Sequence, residues 1–347
     1  VAEIHYAELT ASGHVRHGVF MGLREDKKAT EITGEEKVAA PKKRATKARA
    51  SGKEDASISG VRLTHPDKIL FPSMGITKRE LAEYYAAMAP RILPFVTERP
   101  LSLLRCPEGE GKECFFQKHA GTYVPEQIKR IPIAEKKGGE KDYLLVSDAG
   151  GLVACAQMGV LELHGWGCRN DRIEFPDRLV FDLDPAEEVT FDTVKAAAKD
   201  LAAVLRSAGL ESWPLVTGGK GIHLVIPLDR KSDWQTVGDF AKGFADKMEE
   251  LDASRFIANM SKAKRKGRIF LDYLRNRRGA TAIVPYSPRA RDGAPVAMPV
   301  TWKALAKIKS ANAYSLKDAL ALKADAWSDM QDVRHVLNKK VHTALGL

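Results

Sequence analysis

An apolar run that ends in two carboxylates, Val180-Phe181-Asp182-Leu183-Asp184-Pro185, constrains this chain more than any other feature. Strand side chains alternate between faces, so Leu179, Phe181 and Leu183 fill one side while Val180, Asp182 and Asp184 project from the other. A strand rise of ~3.3 Å per residue then sets the two carboxylates roughly 6 to 7 Å apart on one surface. A third, Asp272, sits in another apolar run, Ile269-Phe270-Leu271-Asp272-Tyr273-Leu274. Like charges at such distances repel unless a cation lies between them, and oxygen-only donors favour Mg²⁺ or Mn²⁺. A divalent-metal site is the sharp reading. The plain one is that Asp184-Pro185 ends a strand at a turn.

The chain has 347 residues, room for two ordinary domains or one large one with appendages, and 44% of them are hydrophobic, enough for a core. No run reaches the ~18 apolar residues of a membrane span and no signal-peptide core opens the sequence, which predicts a cytoplasmic protein with no membrane partner. Cys106, Cys114, Cys155 and Cys168 form no CxxC pair and read as buried free thiols. A split zinc site with His119 is the less favoured alternative. A net charge of +10 suggests a polyanionic partner. Half of that excess lies in residues 41–54, however, so the argument for nucleic acid rests on where the remaining charges sit.

Residues 1–28 alternate polar and apolar side chains around Ser12-Gly13-His14, the pattern of a hairpin belonging to a larger sheet. Residues 29–58 hold almost nothing to bury and read as a flexible basic linker. The main body spans 59–347. A capping box at Thr77-Lys78-Arg79-Glu80 opens an amphipathic helix. Strands are expected at 101–105, 143–146, 178–184, 213–216, 222–226 and around Asp272. Helices are expected at 192–207 and after Ser232-Asp233-Trp234-Gln235. Strands and helices without a steady βαβ count predict an α+β fold.

Between two of these strands lies Thr217-Gly218-Gly219-Lys220-Gly221-Ile222-His223. Three glycines in four positions let backbone approach a ligand closely; the N–H groups, the Thr217 hydroxyl and Lys220 are suited to phosphate oxygens. A glycine-rich hairpin with a core histidine is the competing reading. Two basic runs, Lys262-Lys264-Arg265-Lys266-Arg268 and Arg275-Arg277-Arg278, flank Asp272 and favour phosphate contact over solvated surface.

His164-Gly165-Trp166-Gly167, Phe181-Asp182-Leu183-Asp184-Pro185, Thr217–His223 and Phe270-Leu271-Asp272-Tyr273-Leu274-Arg275-Asn276 occur in that order. Together they resemble the polymerase domain of bacterial DNA ligase D, a member of the archaeo-eukaryotic primase superfamily, over about residues 60–305. The resemblance implies a primase-type catalytic core in which Asp182, Asp184 and Asp272 bind two Mn²⁺ or Mg²⁺ ions. Thr217, where the family often has Ser, and His223 would contact the triphosphate of an NTP or dNTP. His164 would lie near the nucleotide, with Arg289 and Arg291 at its phosphates.

Leu63-Thr64-His65-Pro66-Asp67-Lys68 and Thr77-Lys78 carry a second likeness, to the lysines that hold a 5'-phosphate across a DNA gap. Lys68 and Lys78 would take that role, and Phe115 and Phe116 would stack on bases at the break. Ordinary core packing would bury at least one of the two rings. Phe20-Met21-Gly22-Leu23-Arg24-Glu25-Asp26-Lys27 resembles the end of the oligonucleotide-binding domain of ATP-dependent ligases. Residues 1–28 would thus be the remnant of a preceding ligase domain.

The implied activity is template-directed gap filling and end extension in bacterial non-homologous end joining, near the nucleoid, favouring ribonucleotides and working beside Ku. A primer-independent primase and a non-catalytic DNA-end bridging module are the alternatives.

Overall fold

The computed structural model describes residues 57–347, apart from 122, 136 and 137, together with four short strands before them. The chain divides into two compact units, Val1–Lys53 and Glu54–Leu347. In the first, Ala2–His5 pairs antiparallel with Val19–Leu23 and, nested inside, Glu8–Leu9 pairs with Val15–Arg16, the hairpin pattern of the sequence. The ligase-like motif at 24–27 and the expected linker up to residue 56 lie outside the described residues.

After two small strand pairs, the second unit runs through α1 (Lys78–Val96), β1 (Leu101–Arg105), β2 (Phe115–Gln117), β3 (Lys129–Ala134), β4 (Glu140–Leu145), α2 (Ala149–Gln157) and β5 (Val160–Trp166). It continues with β6 (Arg178–Pro185), α3 (Phe191–Ser207), β7 (Trp213–Val216), β8 (Ile222–Pro227), α4 (Trp234–Leu251), β9 (Phe256–Ile257), β10 (Ile269–Asp272), β11 (Thr281–Ile283) and β12 (Met298–Pro299). Among the described residues no helix is long and apolar enough to cross a membrane.

Two sheets organise this unit, as the α+β expectation requires. One has the order β3-β4-β1-β5-β11, with β2 also on β1; the other has the order β9-β10-β6-β8-β7-β12. Local chemistry sets the helices. Thr77 caps α1 through the expected box with Glu80, and its apolar stripe Leu81, Tyr84, Tyr85, Met88 and Ile92 is fully buried. α4 starts one residue later than the sequence suggests: Asp233, not Ser232, accepts the Thr236 N–H. A carboxylate at that position also meets the positive end of the helix dipole, which favours it over a neutral hydroxyl.

α3 and α4 turn Leu201, Leu205, Phe240 and Phe244 into the core. Phe181 of β6 meets Phe244 with ring centroids 4.7 Å apart. Burying Phe181 completely contributes roughly 2 to 3 kcal/mol. By alternation, the other face of β6 carries Val180, Asp182 and Asp184 toward the cleft between the sheets.

The structure corrects two expectations. Cys106 and Cys114 form a disulfide, while Cys155 and Cys168 are free and buried. Antiparallel pairing of β2 with β1 places Phe115 opposite Arg105, which brings the flanking cysteines together. Both phenylalanines of β2 are exposed, Phe115 at 45% and Phe116 at 54%, because β2 is an edge strand with little packed over it.

Candidate active site

The charged groups stand in one row across three strands. β8 pairs with β6 so that His223 lies opposite Asp182, and β10 pairs with β6 so that Asp272 lies opposite Asp182 on its other side. Cross-strand partners share a face. His223 Nε2 is 3.4 Å from Asp182 Oδ1. Arg275, three residues beyond Asp272, bridges the carboxylates: its Nη2 is 3.1 Å from Asp182 Oδ2 and its Nε 3.0 Å from Asp272 Oδ2. Asp184 lies two residues further along β6 and pairs with Arg265 at 2.8 Å.

Alternation places the aspartates as expected, yet the environments differ. The Asp182 and Asp272 side chains are 12% exposed and that of Asp184 is 51% exposed. Burial opposes the charge of Asp182, but His223 and Arg275 outweigh it and hold the carboxyl down at about 2. Burial and the neighbouring Asp182 charge raise the Asp184 carboxyl from its ordinary value, against Arg265. Burial likewise raises Asp272; Asp182 adds to the shift and Arg275 opposes it.

Among the described residues no three His, Cys, Asp or Glu side chains close into a ready-made metal cage. Asp184 is drawn aside by Arg265, and Arg275 stands between the other two. The donor chemistry still fits a divalent cation: three carboxylates supply only oxygen, and guanidinium charge already gathers where a cation would be drawn.

The Thr217–His223 loop folds tightly beside this row. Thr217 Oγ1 donates to the Gly221 carbonyl at 3.0 Å and accepts the Gly219 N–H at 3.3 Å. Gly221 is indispensable by contact, since a Cβ there would lie 2.3 Å from the Leu183 carbonyl oxygen. Lys220 reaches outward to Glu187 at 3.3 Å. The aspartates of β6, this loop, Arg289, Arg291 and His164 line one cleft of about 810 Å³. A second cavity, about 650 Å³, lies behind His223 among Val180, Leu215 and Val225 and touches none of the three aspartates.

Sequence reasoning passed over Glu162. It is a buried carboxylate that accepts from His164 Nε2 at 2.8 Å and from the Ala290 N–H at 2.9 Å, and it lies 3.1 Å from Arg289 Nε. An acid inside the apolar strand Val160–Trp166 is the same signal that marks Asp182. The basic runs divide: Arg265 and Arg275 join the carboxylates, whereas Arg277 turns to Asp239 at 3.6 Å and Arg278 to Glu174 at 2.8 Å.

Lys68 and Lys78 come together. The Lys78 N–H donates to the Lys68 carbonyl at 2.8 Å. Lys78 Nζ donates to the Thr64 carbonyl at 2.7 Å and Lys68 Nζ to Glu108 at 2.8 Å. Burial, then the Lys68 charge, pushes the Lys78 ammonium below its ordinary value. Phe116 meets the His164 ring edge-on at 5.1 Å, so β2 connects its exposed rings to the cleft.

Residues 77–330 match the profile of the LigD primase-polymerase domain. The multifunctional non-homologous end joining protein LigD of Pseudomonas aeruginosa is 38% identical over the whole chain, which covers 42% of that protein. Its counterpart in Mycolicibacterium smegmatis is 36% identical over 71% of the chain, covering 32% of that protein. The polymerase domain of Mycobacterium tuberculosis ligase D, solved in complex with DNA, superposes with a TM-score of 0.72 at 31% identity, over 78% of this chain and 97% of that one. The chain thus spans less than half the length of these curated relatives. By profile and by structure, it belongs to the LigD primase-polymerase family.

Proposed function

We propose that this chain is a metal-dependent, template-directed nucleotidyltransferase that fills gaps and extends ends during bacterial non-homologous end joining. One observation carries the reading: His223, Asp182 and Asp272 share a row, beside a glycine loop whose cleft is also lined by Arg289, Arg291 and His164. An anionic row next to a cationic pocket suits a primer terminus at the carboxylates and a triphosphate at the loop.

Asp182, Asp184 and Asp272 would hold Mn²⁺ or Mg²⁺, which when bound supplies Lewis-acid activation of a hydroxyl and charge neutralisation at phosphate. The chain's own groups do the rest. Thr217, Lys220 and His223 orient the β and γ phosphates, Arg289 and Arg291 neutralise them, and His164 borders the nucleoside. Arg275 offsets the mutual repulsion of Asp182 and Asp272. Lys68 and Lys78 would take a 5'-phosphate across the gap, and Phe115 and Phe116 would stack on bases at the break. By likeness to LigD, ribonucleotides are the favoured substrates and Ku the partner at DNA ends. On the same basis residues 1–28 end a ligase domain of the same polypeptide, 29–58 tether it, 59–347 form the polymerase, and the protein works in the bacterial cytoplasm near the nucleoid.

The test is the Asp182→Ala, Asp184→Ala double variant, which should lose primer extension while still binding a 5'-phosphorylated gap. Extension that survives in this variant refutes the assignment of the aspartates. Products on an unprimed template would instead mark a primase.

A further inference from the structure

Glu162 has no task in the scheme above, yet it is 4% exposed in the middle of β5. A carboxylate in such a place is costly unless its lone pairs all find donors. Here both oxygens are engaged. Oε2 accepts from His164 Nε2 at 2.8 Å, while Oε1 accepts the Ala290 N–H at 2.9 Å and lies 3.1 Å from Arg289 Nε. Arg289 in turn donates from Nη1 to the Thr217 carbonyl at 2.6 Å. One side chain of the first sheet therefore holds two cleft-lining side chains and, through Arg289, reaches the glycine loop of the second sheet.

We propose that Glu162 is a positioning residue for the incoming nucleotide, fixing the tautomer of His164, the aim of Arg289 and the turn that leads to Arg291. The proposal rests on the polymerase reading and deepens it. Burial opposes ionisation of Glu162, but His164 and Arg289 overcome it and hold the carboxyl at about 2, so near neutral pH it only accepts. The proton on His164 must then sit on Nε2. Burial pushes the His164 pKa down, against Glu162, which favours the neutral ring. A neutral ring with Nε2–H has an unprotonated Nδ1, so His164, which lines the cleft, keeps one acceptor.

Glutamine at this position keeps the shape but carries one acceptor oxygen and one donor nitrogen. Its partners, His164 Nε2–H, the Ala290 N–H and Arg289, all donate to the carboxylate, so the amide must either lose one of these contacts or turn His164 to the Nδ1–H tautomer, which replaces the Nδ1 acceptor by a donor.

The test is Glu162→Gln in the full chain, read by steady-state primer extension and by calorimetric titration of ATP in the presence of Mn²⁺. The expected result is a rise of tenfold or more in the nucleotide KM and Kd, with kcat at saturating nucleotide within threefold of wild type. Affinity for a 5'-phosphorylated gap should not move. Wild-type Kd in a folded variant, or a fall in kcat at constant KM, overturns the proposal. Should the variant lose its cooperative melt, nitrogen NMR of histidine-labelled wild type decides, because His164 protonated on Nδ1 rather than Nε2 also overturns it. A wild-type chain that neither binds ATP nor extends primers defeats the polymerase reading instead, with the tautomer still measurable.

Discussion

Gly221→Ala tests how tightly the glycine loop and the carboxylate strand are coupled. The added Cβ would lie 2.3 Å from the Leu183 carbonyl oxygen, whereas real Cβ contacts essentially never fall below 3.0 Å, so about 0.7 Å of movement is forced on backbone. No side chain can swing away to absorb it. Leu183 sits between Asp182 and Asp184, and its strand partner is Ile222, the residue after Gly221. The movement therefore separates β6 from β8 at the point where Asp182 faces His223.

Overpacking of this kind costs about 1 to 3 kcal/mol. At roughly 2 °C per kcal/mol for a body this large, Tm should fall by about 2 to 6 °C. Activity should suffer more, because displacing reacting groups by about 1 Å can reduce rate ~100-fold. The assay is primer extension well below both melting temperatures, alongside thermal unfolding. Gly218→Ala is the useful contrast. Gly218 has φ +69°, and its Cβ would come 2.8 Å from Cγ of Arg289, so the strain falls on the phosphate side and should raise the nucleotide KM more than it lowers kcat. A Gly221→Ala protein with wild-type Tm and activity within twofold refutes the coupling.

Lys68→Ala with Lys78→Ala should weaken binding to 5'-phosphorylated gaps and reduce the slope of log affinity against log salt by roughly 2, with little change for gaps lacking the phosphate; equal losses on both would refute the phosphate role. Asp177 pairs with buried Arg99 at 2.6 Å, and although burial opposes its charge, Arg99 depresses its carboxyl from 3.8 to about 2. A depressed folded-state value contributes stability above the unfolded value that is lost as pH falls, so about 2 kcal/mol should disappear between roughly pH 4 and 2. Urea titrations should find that acid dependence reduced in Asp177→Asn, which should also be about 3 to 5 kcal/mol less stable near neutral pH because Arg99 is left buried and unpaired. Thiol titration of the denatured, unreduced protein should detect only Cys155 and Cys168, and reducing the eight-residue Cys106–Cys114 closure should lower stability by about 2.5 kcal/mol. Four reactive thiols before reduction would count against the bridge.

What the sequence disclosed depended on periodicity. β6, β7, β8 and β10 are short, apolar and bounded by Gly, Pro or Asp, and could be read directly. β3 buries only Ile133 and carries Pro132 inside it, so its short Ile131–Ile133 alternation is a weak strand signal. Gly150-Gly151 argues against a helix, yet Asp148 caps α2 and packing against α1 overrides the propensity. The three aspartates were legible as acids in apolar strands, but their register was not. Nothing local in β6 states that Asp182 will face both His223 and Asp272. Glu162 was passed over, although an acid inside an apolar run was there to be read; its partners at 289 and 290 come from a distant segment. Arg275 was legible as basic but not as the bridge between two carboxylates, because that role exists only once β6 and β10 are paired.

The paired strands also give the cleft a direction. Asp182, Asp184 and Asp272 gather carboxylate charge on one wall, where Arg265, Arg275 and His223 lie against it. Lys220, Arg289 and Arg291 make another part of the same cleft cationic, with Glu162 the acid that faces Arg289. At a Debye length of about 10 Å in 0.1 M salt, groups on one cleft wall act on a ligand with little screening between them. A nucleoside triphosphate entering with its tail toward Lys220 and Arg289 gains at every phosphate; turned around, it would set that tail against the carboxylates. On the proposed function, orientation would thus be biased before any cation binds. On the same proposal Glu162 would sharpen that bias, because the Arg289 guanidinium it faces also donates to the Thr217 carbonyl and the cationic side of the cleft is held in place ahead of the nucleotide.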